Sequence, residues 1–189
     1  FPNSFTIYDQ ADSLSVMKRI LRDMNMDDKV FPPKAMLAAA GRYKGSLVSP
    51  EEAVAAEERS GDIRRIRTAK IYAAYAKHLQ DAGAMDFDDL IYYTVRLLQD
   101  EPDVLAYYQK KFRYVLIDEY QDTNHLQYLF AALMASGSRN ICVVGDDDQS
   151  IYKFRGATIE NILSFEQQYK GAQVIRLEQN YRSTQAILN

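Results

Sequence analysis

The sequence predicts an α/β protein in which a mostly helical region precedes part of a parallel β-sheet. Two observations predict this fold class. Through about the first hundred positions, apolar residues recur at three- and four-residue steps, as they do on one face of a helix. After Phe112, short continuous apolar runs alternate with helical segments, which is typical of parallel strands that are covered on both faces.

The composition is that of a folded protein without a strong charge bias. Of the 189 residues, 47% are hydrophobic and 26% are charged, and the net charge is −3. These values argue against a disordered chain and against binding of polyanions through net charge alone. The single cysteine excludes an internal disulfide framework and a cysteine-based zinc site, so we expect a cytoplasmic location. No apolar run approaches the ~20 residues that span a bilayer, so we expect no membrane association.

Helix-start signals divide the first region. Asp9 or Asp12 is available as the N-cap of a helix that ends near Met24. Ser49, followed by Pro50 and by Glu52 three residues after the serine, predicts a capped start. Further helices are predicted over residues 63–79, 90–98 and 102–112, and loops over residues 31–33 and 41–49.

Three apolar runs of the second region are predicted strands, and each ends in a polar cluster. The strands are predicted over residues 114–117, 141–144 and 174–177, with helices over 125–134 and 159–169 between them. In parallel sheets, ligands bind at the carboxyl ends of the strands. The functional residues are therefore expected in the clusters that follow, at residues 118–124, 145–157 and 178–184.

The first cluster places two carboxylates directly after a strand. Asp118 is a hard oxygen ligand suited to Mg²⁺, and Glu119 beside it can orient a water for attack on a γ-phosphate. An alternative is that the pair begins a turn and caps the next helix. Asp122, Thr123 and Asn124 are also plausible helix starters.

The second cluster combines acids, an amide and aromatic rings. The acids at 146–148 repel one another unless a cation or a basic group lies nearby. Gln149 can bond a phosphate oxygen without adding negative charge. Rings can stack on unpaired bases while cations meet the backbone, although the rings can also belong to a core hairpin. The aromatic and basic residues alternate at Tyr152, Lys153, Phe154 and Arg155.

The third cluster contains Arg182, which follows the predicted strand at 174–177. An arginine in this place could supply positive charge to a phosphoryl-transfer transition state. Pairing with a neighbouring acid is the alternative.

In this order and spacing, the three clusters resemble motifs II, III and IV of the UvrD/Rep/PcrA helicases, the superfamily-one 3′-to-5′ DNA translocases. Residues 85–91 and 5–9 resemble other family segments more weakly, so the resemblance spans essentially the whole chain. Nuclease-coupled helicases of the RecB/AddA type usually carry Pro-Lys where this chain has Asp147 and Asp148, which makes the first family the closer match.

The resemblance implies a role for each matching residue, with ATP and Mg²⁺ as cofactors. It assigns Asp118 to Mg²⁺ (with Glu119 as a possible second ligand), Glu119 to activation of the attacking water, and Gln149 to sensing of the γ-phosphate. Arg182 would be the arginine finger, and Tyr181 would pack near the adenine. The implied partners are single-stranded DNA and single-strand/duplex junctions, contacted through Tyr152, Phe154 (tryptophan in many relatives) and Arg155.

The resemblance also implies a domain organisation and a missing part. Residues 1–84 would form a helical insertion domain, residues 85–170 the C-terminal part of a first RecA-like motor domain, and residues 171–189 the start of a second. No G-x-x-x-x-G-K-[ST] loop occurs in the sequence, so nothing in it would cradle the β- and γ-phosphates. We therefore expect an internal fragment that is inactive alone, taken from a helicase of DNA repair or replication.

Two further hypotheses remain open. The chain could be a non-catalytic module that binds single-stranded DNA or a protein, or part of a RecB/AddA-type helicase-nuclease subunit. The basic residues of the predicted helix at 63–79 could support DNA binding. A solvated helix face paired with Glu57, Glu58 and Asp62 is the favoured interpretation of these charges.

Overall fold

The computed structural model describes residues 4–149, 160–184 and 187. Helices and two small parallel sheets make up the fold, so the mixed α/β prediction is confirmed at this level. Within the described ranges, no helix is both long and apolar enough to cross a membrane.

The first sheet and the helices around it occupy the N-terminal half of the chain. A two-stranded parallel sheet pairs Thr6 with Ala84 and Ile7 with Met85, and Tyr8 N–H continues it to Met85 O at 2.8 Å. These strands were not predicted, because two residues are too few for an alternating pattern. The elements are β1 (Thr6–Ile7), α1 (Gln10–Asp23), α2 (Pro33–Gly45), α3 (Pro50–Ser60), α4 (Ile63–Asp81), β2 (Ala84–Met85) and α5 (Phe87–Asp100).

Side-chain caps begin four of these helices, and the sequence predicted the caps of α1 and α3. Asp9 forms a capping box with Asp12 at α1, and Ser49 forms one with Glu52 at α3. Asp62 and Asp86 cap α4 and α5 in the same way, by accepting backbone N–H groups of the first turn. The apolar faces of α1, α2, α3 and α4 then enclose one core, which includes Met17, Leu21, Ile71, Tyr72 and Tyr75.

A buried ion-pair network joins α2 to the start of α5. Lys44 is only 1% exposed, and its Nζ lies 2.7 Å from Asp86 Oδ2 and 2.8 Å from Asp89 Oδ1. Tyr75 O–H donates to the same Asp86 oxygen at 3.0 Å. Burial raises the pKa of Asp89 to about 6. Burial also acts to raise the pKa of Asp86, but the charge of Lys44 and the hydrogen bonds from Lys44, Asp89 N–H and Tyr75 together hold that pKa below its usual value. The ammonium thus supplies the counter-charge for two largely buried carboxylates.

The second sheet lies in the C-terminal half of the chain. Its two strands are parallel and pair Val115 with Ile141, Leu116 with Cys142 and Ile117 with Val143. Leu116 is 77% exposed, so one face of the sheet has no covering layer within the described part of the chain. The elements are α6 (Pro102–Lys111), β3 (Val115–Ile117), α7 (His125–Ala135), β4 (Ile141–Val143), α8 (Glu160–Leu163) and α9 (Phe165–Gln168), with 3₁₀ turns at Tyr120–Asp122 and Asp147–Gln149.

Three local predictions are wrong. Residues 41–45, predicted as loop, complete helix α2, because Lys44 and the apolar side chains before it are buried. The strand predicted over 174–177 does not form among the described residues, where Leu177 is 84% exposed and has no neighbouring strand to pair with. The described part of the helix predicted over 159–169 is divided into the two short helices α8 and α9.

The Lys44 network predicts a large loss of stability on substitution. At pH 7, Lys44→Met is expected to lower the free energy of unfolding by about 3–5 kcal/mol, because two buried carboxylates lose their counter-charge. The deficit should shrink towards pH 5, since burial then raises the pKa of both carboxyls and protonation removes their charge. Urea denaturation at both pH values, followed by circular dichroism, measures these changes.

Lys70→Met is the matched control. Lys70 pairs with Glu58 at 2.9 Å, but both side chains are about half exposed. Removal of such a surface pair is expected to cost less than about 1 kcal/mol at either pH. Equal losses for the two variants would contradict the role given to the buried network.

Candidate functional site

The carboxyl ends of β3 and β4 lie side by side. Beyond the paired strands, Val144 N–H donates to Ile117 O at 2.8 Å, and Tyr120 N–H donates to Val144 O at 2.9 Å. Asp118 and Glu119 leave β3 at this edge, and the turn that contains Gln149 leaves β4 at the same edge. The structure therefore brings the first two predicted clusters together, as expected for neighbouring parallel strands.

The chain turns sharply at the two carboxylates. Glu119 has φ 51° and ψ 41°, in the left-handed region that residues other than glycine rarely occupy. Its N–H donates to Asp118 Oδ1 at 2.9 Å, and both residues remain exposed. This conformation stores strain at the point where the acids leave the strand, a feature that is common at functional sites.

A buried amide connects Glu119 with the loop after β4. Gln121 is 1% exposed; its Nε2 donates to Glu119 Oε2 at 2.8 Å, and its Oε1 accepts Asp146 N–H at 3.0 Å. Asp146 Oδ2 in turn accepts Gln149 Nε2 at 2.6 Å. One continuous chain of hydrogen bonds thus runs from the first cluster to the amide of the second.

Gly145 provides the space for this contact. A Cβ atom at this position would lie 2.6 Å from Gln121 Oε1 and 2.8 Å from Ile162 Cδ1. Both distances are shorter than real contacts allow, so a side chain here would displace the buried amide. The glycine therefore leaves room for the Gln121 amide to reach the loop after β4.

The polypeptide returns to the first cluster after residue 159. Asn161 Nδ2 lies 3.1 Å from both Thr123 O and Thr123 Oγ1, and it donates to them. The ring of Phe165 meets Tyr120 edge-on, with the ring centroids 5.9 Å apart. The predicted DNA contacts, Tyr152, Phe154 and Arg155, lie outside the described residues. The segments on either side of them are both hydrogen-bonded to the site.

The third cluster is not joined to the first two by the hydrogen bonds of the described residues. Tyr181 is 85% exposed, and its O–H donates to Gln179 at 3.2 Å. Arg182 N–H donates to Asn180 Oδ1 at 2.9 Å. The roles expected for Tyr181 and Arg182 therefore stay predictions.

The side chains at this edge fit a magnesium ion that is bound by only a few protein ligands. Within the described ranges, no group of three or more histidine, cysteine or acidic side chains is arranged to hold a metal. Mg²⁺ is usually held by only one or two carboxylates and keeps several waters. Asp118, exposed at the end of β3 with Glu119 next to it, supplies such a set.

The chain is similar to known proteins over most of its length. A family model described as the UvrD/REP helicase N-terminal domain matches residues 1–170. A protein of Staphylococcus aureus named ATP-dependent DNA helicase PcrA is 48% identical over 186 residues, which cover 98% of this chain and 25% of that protein. The chain belongs to the UvrD/Rep helicase family. The resemblance drawn from the three motifs is thereby confirmed.

A second relative has the same extent of similarity. The protein of the same name from Staphylococcus epidermidis is 47% identical over 186 residues. The chain spans about a quarter of the length of these helicases.

Sequence reasoning missed three residues of this UvrD/Rep family site. Gln121 and Asn161 form its bridging hydrogen bonds, and Gly145 makes room for one of them. The available signal was the glycine directly after a predicted strand, since a close backbone approach requires such a residue. The two amides had no comparable signal, because Asp146 lies 25 residues from Gln121 and Thr123 lies 38 residues from Asn161 in the sequence.

The backbone of Glu119 predicts an unusual order of stabilities. Glu119→Gly is expected to be more stable than Glu119→Ala by about 1 kcal/mol, because only glycine adopts the left-handed region without a steric penalty. Both variants lose the same bond to Gln121, so the comparison isolates the backbone. Urea denaturation of the 189-residue chain measures the difference.

Ala132 provides the reference position in a regular helix, α7. There, Ala132→Gly should lower stability by roughly 1 kcal/mol. If glycine were less stable than alanine at position 119, as it is expected to be at position 132, the backbone of Glu119 would not be strained.

Proposed function

We propose that this chain is part of an ATP-dependent 3′-to-5′ DNA helicase that couples ATP hydrolysis to movement on single-stranded DNA in repair or replication. The observation that carries the proposal is the shared edge at which Asp118 and Glu119 approach Gln149 through a chain of hydrogen bonds. The names of the PcrA relatives support the same activity.

The proposed roles follow from the chemistry of each side chain. Glu119 acts as the base that orients the attacking water, because its carboxylate stands next to a residue suited to bind Mg²⁺. Gln149 senses the γ-phosphate through an amide that adds no negative charge to an acidic edge. Arg182 supplies positive charge to the transition state, and Tyr181 packs near the adenine.

Asp118 is the proposed ligand of Mg²⁺, with Glu119 available as a second carboxylate. When bound there, Mg²⁺ supplies positive charge to the triphosphate oxygens. It also offsets the repulsion between the acids that follow β3 and β4.

The proposed domain organisation keeps the expected boundaries. Residues 1–84 form a helical insertion domain, residues 85–170 belong to a first RecA-like motor domain, and residues 171–189 begin a second. The parallel pairing of β3 with β4 supports a motor-domain assignment for the middle segment. Single-stranded DNA and single-strand/duplex junctions are the proposed partners, contacted through Tyr152, Phe154 and Arg155.

The catalytic assignment is tested in the complete helicase that contains this chain. Glu119→Gln is expected to lower DNA-stimulated ATP turnover by at least about 100-fold, the contribution of a positioned general base, while ATP binding persists. Steady-state hydrolysis and nucleotide titration measure the two effects separately.

The matched control for this substitution is Glu101→Gln. Glu101 is exposed at the junction of α5 and α6 and makes no side-chain cap bond. The DNA-stimulated ATP turnover of the Glu101→Gln variant should equal that of the wild type. Full turnover in Glu119→Gln would exclude Glu119 as the base.

A second prediction concerns the isolated chain. The purified 189-residue polypeptide is expected to hydrolyse no ATP above background, with or without single-stranded DNA, because no phosphate-cradling loop occurs in its sequence. Hydrolysis should appear when the chain is part of a longer polypeptide that supplies such a loop.

Fluorescence anisotropy with labelled single strands distinguishes the alternative. Tight DNA binding by both polypeptides, with no hydrolysis by the longer one, would indicate a non-catalytic binding module instead. DNA-stimulated turnover by the 189-residue chain itself would contradict the prediction of inactivity.

A further inference from the structure

We propose that Gln121 is a positioning residue that holds the Glu119 carboxylate and the loop of residues 145–149 in one fixed arrangement. The inference rests on the proposed function, in which Glu119 and Gln149 act on the same phosphate. It assigns a task to a residue of the first cluster for which neither the residue pattern nor the family resemblance indicated a role.

The geometry uses both ends of the side-chain amide. Nε2 donates to Glu119 Oε2 at 2.8 Å, while Oε1 accepts Asp146 N–H at 3.0 Å. The opposite orientation of the amide would place oxygen against a carboxylate and NH₂ against an N–H group, so the two partners determine the assignment. No side chain of similar length other than glutamine provides a neutral donor and an acceptor in these positions.

Burial makes the bridge rigid. Gln121 is 1% exposed, so water cannot readily replace either of its partners. The Cβ that Gly145 lacks would lie 2.6 Å from Gln121 Oε1 and would push the amide away. Buried hydrogen bonds that close a network of this kind favour one arrangement over its alternatives.

The bridge continues to the second cluster through a single residue. Asp146 receives Gln121 at its backbone N–H and binds Gln149 Nε2 through its carboxylate at 2.6 Å. A shift of Gln121 therefore moves the start of the loop and the carboxylate that orients Gln149. The same shift releases Glu119, whose left-handed backbone is already strained.

The test compares two glutamines in the complete helicase. Gln121→Met keeps the length of the side chain but removes both hydrogen bonds. The kcat for DNA-stimulated ATP hydrolysis is expected to fall about 10- to 100-fold, as for a displaced catalytic group, with the KM for ATP changed less than about 3-fold. A role confined to folding would not produce this split between kcat and KM.

Gln109→Met is the matched control. Gln109 Nε2 donates to Leu133 O and to Ser136 Oγ, both at 2.8 Å, and a Cβ at Gly137 would lie 2.9 Å from Gln109 Oε1. The substitution thus also removes two side-chain hydrogen bonds beside a glycine, here between α6 and the end of α7. Its kcat should stay within about 2-fold of the wild type, since no catalytic group moves.

Gln121→Glu provides a second variant in case the first is unstable. It keeps an acceptor for Asp146 N–H but sets a carboxylate against Glu119, so kcat should fall at least as far. Combination of Gln121→Met with Gln149→Ala should lower kcat by less than the product of the two single effects, because both act on one network.

The outcomes separate the two proposals. A wild-type helicase without DNA-stimulated hydrolysis would refute the proposed function. An active wild type with unchanged kcat in both Gln121 variants would refute the positioning role alone. Failure of both Gln121 variants to fold, with Gln109→Met folded, would overturn the inference in favour of a purely structural residue.

A measurement on the 189-residue chain is independent of catalysis. Hydrogen exchange of the Asp146 amide should accelerate in Gln121→Met, because its acceptor is lost, while the Ala53 amide in α3 keeps its rate. Unchanged exchange at Asp146 would show that the bridge does not exist in solution.

Discussion

The parallel pairing of β3 with β4 is the constraint on which the site depends. Only parallel neighbours bring two carboxyl ends to one edge, and they need a crossover between them, which here contains α7. The ladder then extends past the strands, through Val144 to Tyr120. The positions of Asp118, Glu119 and Gln149 near one another follow from this register. A shift of one residue would reverse the faces of the side chains along the strand.

Two buried polar networks fix distant parts of the chain, and their chemistry differs for a physical reason. Lys44 joins α2 to the start of α5, where two carboxylates need a counter-charge. Gln121 joins the ends of β3 and β4, where exposed acids already surround the edge. A lysine at 121 would neutralise part of the negative charge at this edge, where Mg²⁺ is proposed to bind. A neutral amide holds Glu119 in place and leaves its negative charge available.

The sequence predicted those features that depend on neighbouring residues. The capping box at Ser49 needs only four consecutive positions, and it formed. Asn124, one of three residues expected as helix starters after β3, is the N-cap of α7. The strand predicted over 174–177 has the right composition but lacks a partner among the described residues, and β-propensity alone does not order a strand. The helical end of α2 was missed because the burial of Lys44 depends on Asp86 and Asp89, which lie more than forty residues later.

The same division applies to the site. The placement of Asp118, Glu119 and Gln149 at one edge of the sheet was predictable, because all three follow neighbouring parallel strands. Gln121 was not, because its function as a bridge exists only when the two strands pair and Gly145 leaves room for it. Residues that act through geometry alone have no signature in a single sequence.

Under the proposed function, this arrangement also explains how a phosphate site could influence DNA contacts. The segment with Tyr152, Phe154 and Arg155 is flanked by Gln149, bound to Asp146, and by Asn161, bound to Thr123. Both flanking residues are thus attached to the segments that follow β3 and β4 at the proposed ATP site. A ligand shifts such an equilibrium only through its differential affinity for two arrangements. A γ-phosphate in contact with Gln149 would compete with the hydrogen bond from Gln149 to Asp146. The loop of residues 145–149 would then differ between the ATP-bound and the ATP-free protein.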